Sequence, residues 1–174
     1  MTLDVFSEHK VVIGNLLSLD TNNQLPHAAL ITSVSGVGLE SVASSLCATL
    51  LCERDNDSPC GECSSWSRVS AGTHGDYRWV EVAEGKASIG VDQIREAGDF
   101  VTKTAGYGSQ KILVISDAEK MTAGASNALL KTLEEPQGNS LIVLLSQRTW
   151  LLSATIRSRC QTWRLPALLS LIHI

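Results

Sequence analysis

The stretch "ALITSVSGVGLES", residues 29–41, runs from an apolar segment into the start of a helical pattern, and its reading decides the fold. A strand that turns through glycines into a helix is the frame of a phosphate loop. In a working loop the backbone N–H groups at the helix start, a lysine and a hydroxyl together hold phosphate and Mg²⁺. That pattern reads Gly-x-x-Gly-x-Gly-Lys-Ser/Thr. Here Gly36 and Gly38 keep the turn, but Ser33 replaces the first glycine, Leu39 the lysine and Glu40 the hydroxyl residue. Leu39 carries no charge to a phosphate. Glu40 puts an anion where an anion would bind, and a carboxylate at a helix N-terminus is itself stabilising by about 0.3–1 kcal/mol. The ordinary alternative is a glycine turn with no ligand history.

Outward from this turn the pattern alternates. Apolar positions at helical spacing predict helices over 9–19, 39–52, 90–104, 125–136 and 151–159. Pro136 ends the fourth of these. Short apolar or alternating runs predict strands over 29–33, 77–82, 111–116, 140–146 and 160–165. A polar loop with Pro59 and Gly61 lies between, at 53–63. Most of the strand runs are continuously apolar, as buried parallel strands are. Strands alternating with helices predict an α/β fold with a mostly parallel sheet covered on both faces.

The chain has 174 residues, 44% hydrophobic and 18% charged, which is globular rather than disordered. A net charge of −4 makes any nucleic-acid contact local or shared with partners. No run reaches the ~20 apolar residues of a membrane span, and the N-terminus has no basic-then-apolar order, so a cytoplasmic location is expected. Five cysteines there are expected to be thiols or metal ligands. The apolar tail 167–174 carries no cap or charge and reads as the cut-off start of a further element.

Three further motifs carry chemistry. The strand "KILVIS" ends in Ser116 and Asp117, where a Walker B strand would end in Asp-Glu to hold Mg²⁺ and orient water. Serine is a poor metal ligand and Asp117 is a methylene short, so hydrolysis is not expected. The segment "IRSRC" sets Ser158, Arg159 and Cys160 at a helix end, where a planar cation can project at a neighbour's phosphate. A solvated arginine pair favoured by the helix dipole is the alternative. Cys52, Cys60 and Cys63 have a soft-metal spacing, but Trp66 stands where a fourth cysteine would complete a zinc set. Cys47 and His74 are the candidate fourth ligands in modest range, although Cys47 also reads as core. Lys131, with Glu134 and Glu135 three and four residues on, reads as a surface ion pair. His9, His27, His74 and His173 show no ligand or triad spacing.

Taken in order, "HAALITSVSGVG", "LLCERDNDSPCGEC", "AGTHGDYRWVEV", "GVDQIREAGDFV", "ASNALLKTLEEP" and "TIRSRC" resemble successive blocks of the delta-prime family of bacterial DNA polymerase III clamp-loader subunits. The resemblance covers about residues 9–166. It implies an AAA+ core over 1–166, a P-loop-type three-layer fold on a five-stranded sheet, with a cysteine insert at about 52–66. It implies a lid and a collar domain that this chain lacks. Also implied is a subunit that neither binds nor hydrolyses ATP inside a DNA-polymerising complex. Such a subunit lends the arginine of its Ser-Arg-Cys motif, here Arg159, in trans to the ATP of a gamma/tau neighbour. The expected partners are gamma/tau and delta, with the sliding clamp and primed DNA reached through the complex and no membrane. Zinc is the expected cofactor. The rival readings are an active gamma/tau-like ATPase, which lacks its Lys, hydroxyl and acid here, and a zinc-dependent nucleic-acid-binding module.

Overall fold

The computed structural model describes residues 7–22, 24–34, 38–53, 60–107, 110–136 and 138–166. Gly36 and the tail 167–174 lie outside the described residues. In chain order the elements are α1 (Ser7–Thr21), β1 (Ala28–Ser33), α2 (Leu39–Leu50), α3 (Ser64–Ser70), β2 (Tyr77–Val80), α4 (Val91–Val101), β3 (Lys111–Ile115), α5 (Ala123–Glu134), β4 (Ser140–Ser146), α6 (Ala154–Arg159) and β5 (Gln161–Leu165).

The five strands form one sheet in the order β2-β3-β4-β1-β5, and every neighbouring pair is parallel. The expectation of a mostly parallel five-stranded sheet is met, with no antiparallel edge among the described residues. All the residues of β1 and β3 are buried. That is why these runs show no polar alternation: both faces are covered, so both need apolar side chains.

Period two divides the strands between two cores. Ile31, Ile112 and Val143 face α1, α2 and α3 and join Leu16, Leu46 and Val69. Leu30, Leu113 and Leu144 face the other way and join Ile94, Leu129, Leu133 and Ile156 from α4, α5 and α6. The result is helix, sheet and helix in three layers.

The expected helices are present with shifted ends. The segment expected as a helix over 151–159 is a 3₁₀ turn, Thr149–Leu151, followed by the shorter α6, because Ser153 caps the Ile156 N–H and restarts the helix. The strand expected over 77–82 stops at Val80. Helix α3 was not expected. Its start is set by Cys63, whose sulfur accepts from the Trp66 N–H as a capping group. Only Ser65 and Val69 of α3 are buried, a stripe too narrow to show as periodicity.

Candidate functional site

In a parallel α/β sheet the ligand crevice lies beyond the carboxyl ends of the central strands. Here β1 runs into the turn before α2, β3 ends at Ser116–Asp117, and β4 ends at Ser146–Gln147. Gly38, Leu39, Glu40, Ser41, Ser116 and Ser146 line a cavity of about 160 Å³ at this point, against roughly 300–1,000 Å³ for usual small-ligand sites. Gly38 is left-handed, at φ 83°, and begins α2 without a side-chain cap.

Of the sequence-predicted residues, Gly38, Leu39, Glu40, Ser116 and Asp117 line this cavity. Leu39 is buried and belongs to the core under α2, so the side chain at the lysine position packs rather than reaches. The Ser116 hydroxyl donates to Glu40 Oε1 at 3.3 Å. In a working site the hydroxyl would come from the helix and the acid from the strand; here the two have changed places and bond to each other. Asp117 adopts a left-handed backbone, φ 49°, and pairs with Lys120 at 2.8 Å. Ser33 and Ser146 hold buried hydroxyls with no hydrogen-bond partner among the described residues.

At the far end of the sheet, α6 presents "IRSRC". The Arg159 Nη2 donates to Glu134 Oε1 at 2.7 Å, and its Nη1 to the Thr155 carbonyl at 3.1 Å. Glu134 therefore does not make the i,i+3 pair expected with Lys131. It is the last residue of α5, where the chain passes close to α6 and a cation is within reach. Ser158 donates to the Thr155 carbonyl, which ties it into its own helix. Cys160 is half-buried against the core of that face, and burial pushes its thiol up to about 11, so it packs rather than reacts.

The third cluster is the cysteine insert, of which residues 54–59 lie outside the described residues. The sulfurs of Cys52, Cys60 and Cys63 lie within 4.8 Å of one another, with Cys52 and Cys63 at 3.9 Å. Zn–S bonds of about 2.3 Å in a tetrahedron put sulfurs roughly 3.8 Å apart, so this triangle fits three corners. The N–H groups of Glu62 and Cys63 hold the Cys60 thiol down to about 7, and the Trp66 N–H donates to Cys63. Such bonds favour thiolates and orient ligands.

Neither expected fourth ligand joins. Cys47 is fully buried in α2, and burial raises its thiol far above the usual range. His74 is turned inward: its Nδ1 accepts from the Asp76 N–H and its Nε2 lies 3.3 Å from Ser65 Oγ. The fit is to a metal held by three thiolates with its fourth position filled from outside this set.

Sequence reasoning missed one buried ion pair. Lys111 Nζ lies 3.0 Å from Asp76 Oδ1 and also donates to the Gly75 carbonyl. Both side chains are almost wholly buried, and Asp76 accepts further from the Gly106 and Tyr107 N–H groups. The signal was present: a lysine heading a fully buried strand needs a counter-charge. The pair pins the starts of β2 and β3 to the loop after α4.

Three comparisons with known proteins agree with this geometry. A family profile described as DNA polymerase III, delta subunit, matches residues 8–168. The delta′ subunit of DNA polymerase III from Haemophilus influenzae is 42% identical over 139 residues, 80% of this chain and 42% of that protein. The delta′ subunit from Pseudomonas aeruginosa is 41% identical over 138 residues, 79% of this chain and 42% of that protein. The crystal structure of a DNA polymerase III gamma subunit-related protein from Thermotoga maritima superposes with a TM-score of 0.61 at 23% identity. It matches over 90% of this chain and 47% of its own, and shows the fold alone. The chain thus spans about two fifths of the length of the curated relatives it matches. With an AAA+ P-loop-type fold and a family match over nearly its whole length, the chain belongs to the DNA polymerase III delta-subunit family, and the two relatives named above are delta′ subunits.

Proposed function

We propose that this chain is the AAA+ part of a clamp-loader subunit that does not hydrolyse ATP itself and offers Arg159 to the ATP of an adjacent gamma/tau subunit. The observation that carries the reading is Leu39, buried in the core at the position where a nucleotide site needs a lysine. Glu40 and Ser116, bonded to each other, supply neither the hydroxyl nor the metal carboxylate in the usual places. The end of α6 offers the Arg159 guanidinium, with its side chain 33% exposed. A guanidinium presented to a transferring phosphoryl group stabilises its charge and can be worth about 10³–10⁵ in rate.

On this reading the partners are gamma/tau and delta subunits, and the clamp and primed DNA are engaged through the assembly during replication. Cys52, Cys60 and Cys63 would hold zinc as a structural ion that clamps the end of α2 to the start of α3. The rival of an active gamma/tau-like ATPase is disfavoured by the same buried Leu39.

The test uses the full-length protein assembled with its partner subunits. Arg159→Ala should leave folding and assembly unchanged and lower ATP turnover at the adjoining site by at least about 100-fold. Unchanged turnover and unchanged clamp loading would remove the finger from the account.

A further inference from the structure

The contact between α5 and α6 carries an inference that rests on the reading of Arg159 as a residue offered to a neighbour's phosphate. An arginine side chain has four rotatable bonds and costs conformational entropy to hold still. Here it is held at two points by two elements. Glu134 Oε1 at the end of α5 takes Nη2 at 2.7 Å, and the Thr155 carbonyl within α6 takes Nη1 at 3.1 Å. Two acceptors on different elements fix the plane of the guanidinium as well as its place. Among the described residues they use two of its five N–H donors, which leaves three for an incoming oxyanion.

The position of Glu134 sharpens the point. A carboxylate in the last turn of a helix opposes the helix dipole, and α5 ends in Glu134 with Glu135 next to it. Nothing in the packing of α5 requires an acid there, because Leu129 and Leu133 bury its apolar face in the same core as Ile156 of α6. That shared core fixes the spacing of the two helices, so the carboxylate is presented to Arg159 at a set distance.

We infer that Glu134 is a positioning residue: it holds the Arg159 guanidinium in the orientation in which its remaining donors meet the neighbouring subunit's nucleotide. Glu134 does not touch the nucleotide. It acts by lowering the number of orientations from which the arginine must be recovered when phosphate arrives.

The experiment assembles the full-length protein, wild type or variant, with its partner subunits and follows ATP turnover and thermal unfolding. Glu134→Ala should lower kcat at the adjoining site on the order of tenfold with KM for ATP little changed, since a ground-state contact is not lost. Glu134→Gln keeps an oxygen acceptor in the same place and should recover most of the rate. In an Arg159→Ala background Glu134→Ala should cause no further loss, as two residues acting as one unit are not additive. A fall in unfolding temperature without a kcat effect would make Glu134 merely structural and overturn the inference. A faster Glu134→Ala would overturn it too, because Glu134 would then compete with the phosphate for Arg159. If Arg159→Ala is itself silent, the finger reading fails and not only the role of Glu134.

Discussion

Leu39 and Lys111 are two buried positions with opposite requirements for charge. Leu39 opens α2 but its side chain belongs to the core. Leu39→Lys would therefore place an ammonium at a buried position. It should destabilise the protein by more than the ~1–3 kcal/mol that an unpaired uncharged polar group costs, without restoring Mg²⁺-ATP binding, because Glu40 and Ser116 stay as they are. Urea unfolding and calorimetry measure the two effects, and micromolar binding would contradict the account of the site. Lys111 is the converse case, a charge that must stay. Lys111→Met removes the partner of a carboxylate that is almost wholly buried, and should cost about 3–5 kcal/mol in unfolding free energy. A loss under 1 kcal/mol would mean that the N–H groups of Gly106 and Tyr107 already satisfy Asp76. Neither burial is visible in one residue's identity. Leu39 can be set against the lysine of a phosphate-loop pattern from its spacing, whereas the Asp76–Lys111 bond spans 35 positions and needs the fold to close it.

At the scale of elements, α3 and the cysteine insert act as one module. A metal at Cys52, Cys60 and Cys63 would tie the end of α2 to the start of α3. Removing metal with a chelator should lower the thermal midpoint of the purified protein, and metal analysis should return close to one equivalent before treatment. Metal far below one equivalent would count against zinc. The module is also joined to β2 through His74, whose ring lies between Ser65 of α3 and the Asp76 N–H. Burial lowers the His74 pKa from its ordinary 6.5. The folded state therefore binds fewer protons than the unfolded chain below that value. The contribution of His74 is complete above about pH 6.5 and is lost as the pH falls from there towards the lowered pKa. Wild type should lose more stability between pH 7.5 and 5 than His74→Gln does; equal losses would show that the histidine is not buried neutral. The insert's cysteines could be read from spacing alone. The exclusion of Cys47 and His74 could not, because sequence distance says nothing about which way a ring or thiol points.

For the molecule as a whole, order along the chain was enough to predict the architecture, since buried parallel strands and amphipathic helices leave different periods. Runs such as "KILVIS" and "SLIVLLS" announce their own burial, and no described helix is long and apolar enough to cross a membrane. The departures of Leu39, Glu40 and Ser116 from the phosphate-loop and Walker B patterns were equally a local matter, because each role needs one particular functional group. Pairings between distant positions lay beyond such reading. The sheet order β2-β3-β4-β1-β5 puts the end of β3 beside the start of α2, so that Ser116 finds Glu40 across 76 positions. Packing of α5 on α6 turned Glu134 from its expected partner Lys131 to Arg159. A hydrogen bond is decided over about 3 Å and a local motif over a few residues, so the residue types were fixed by the linear chain and their partners by how the layers packed.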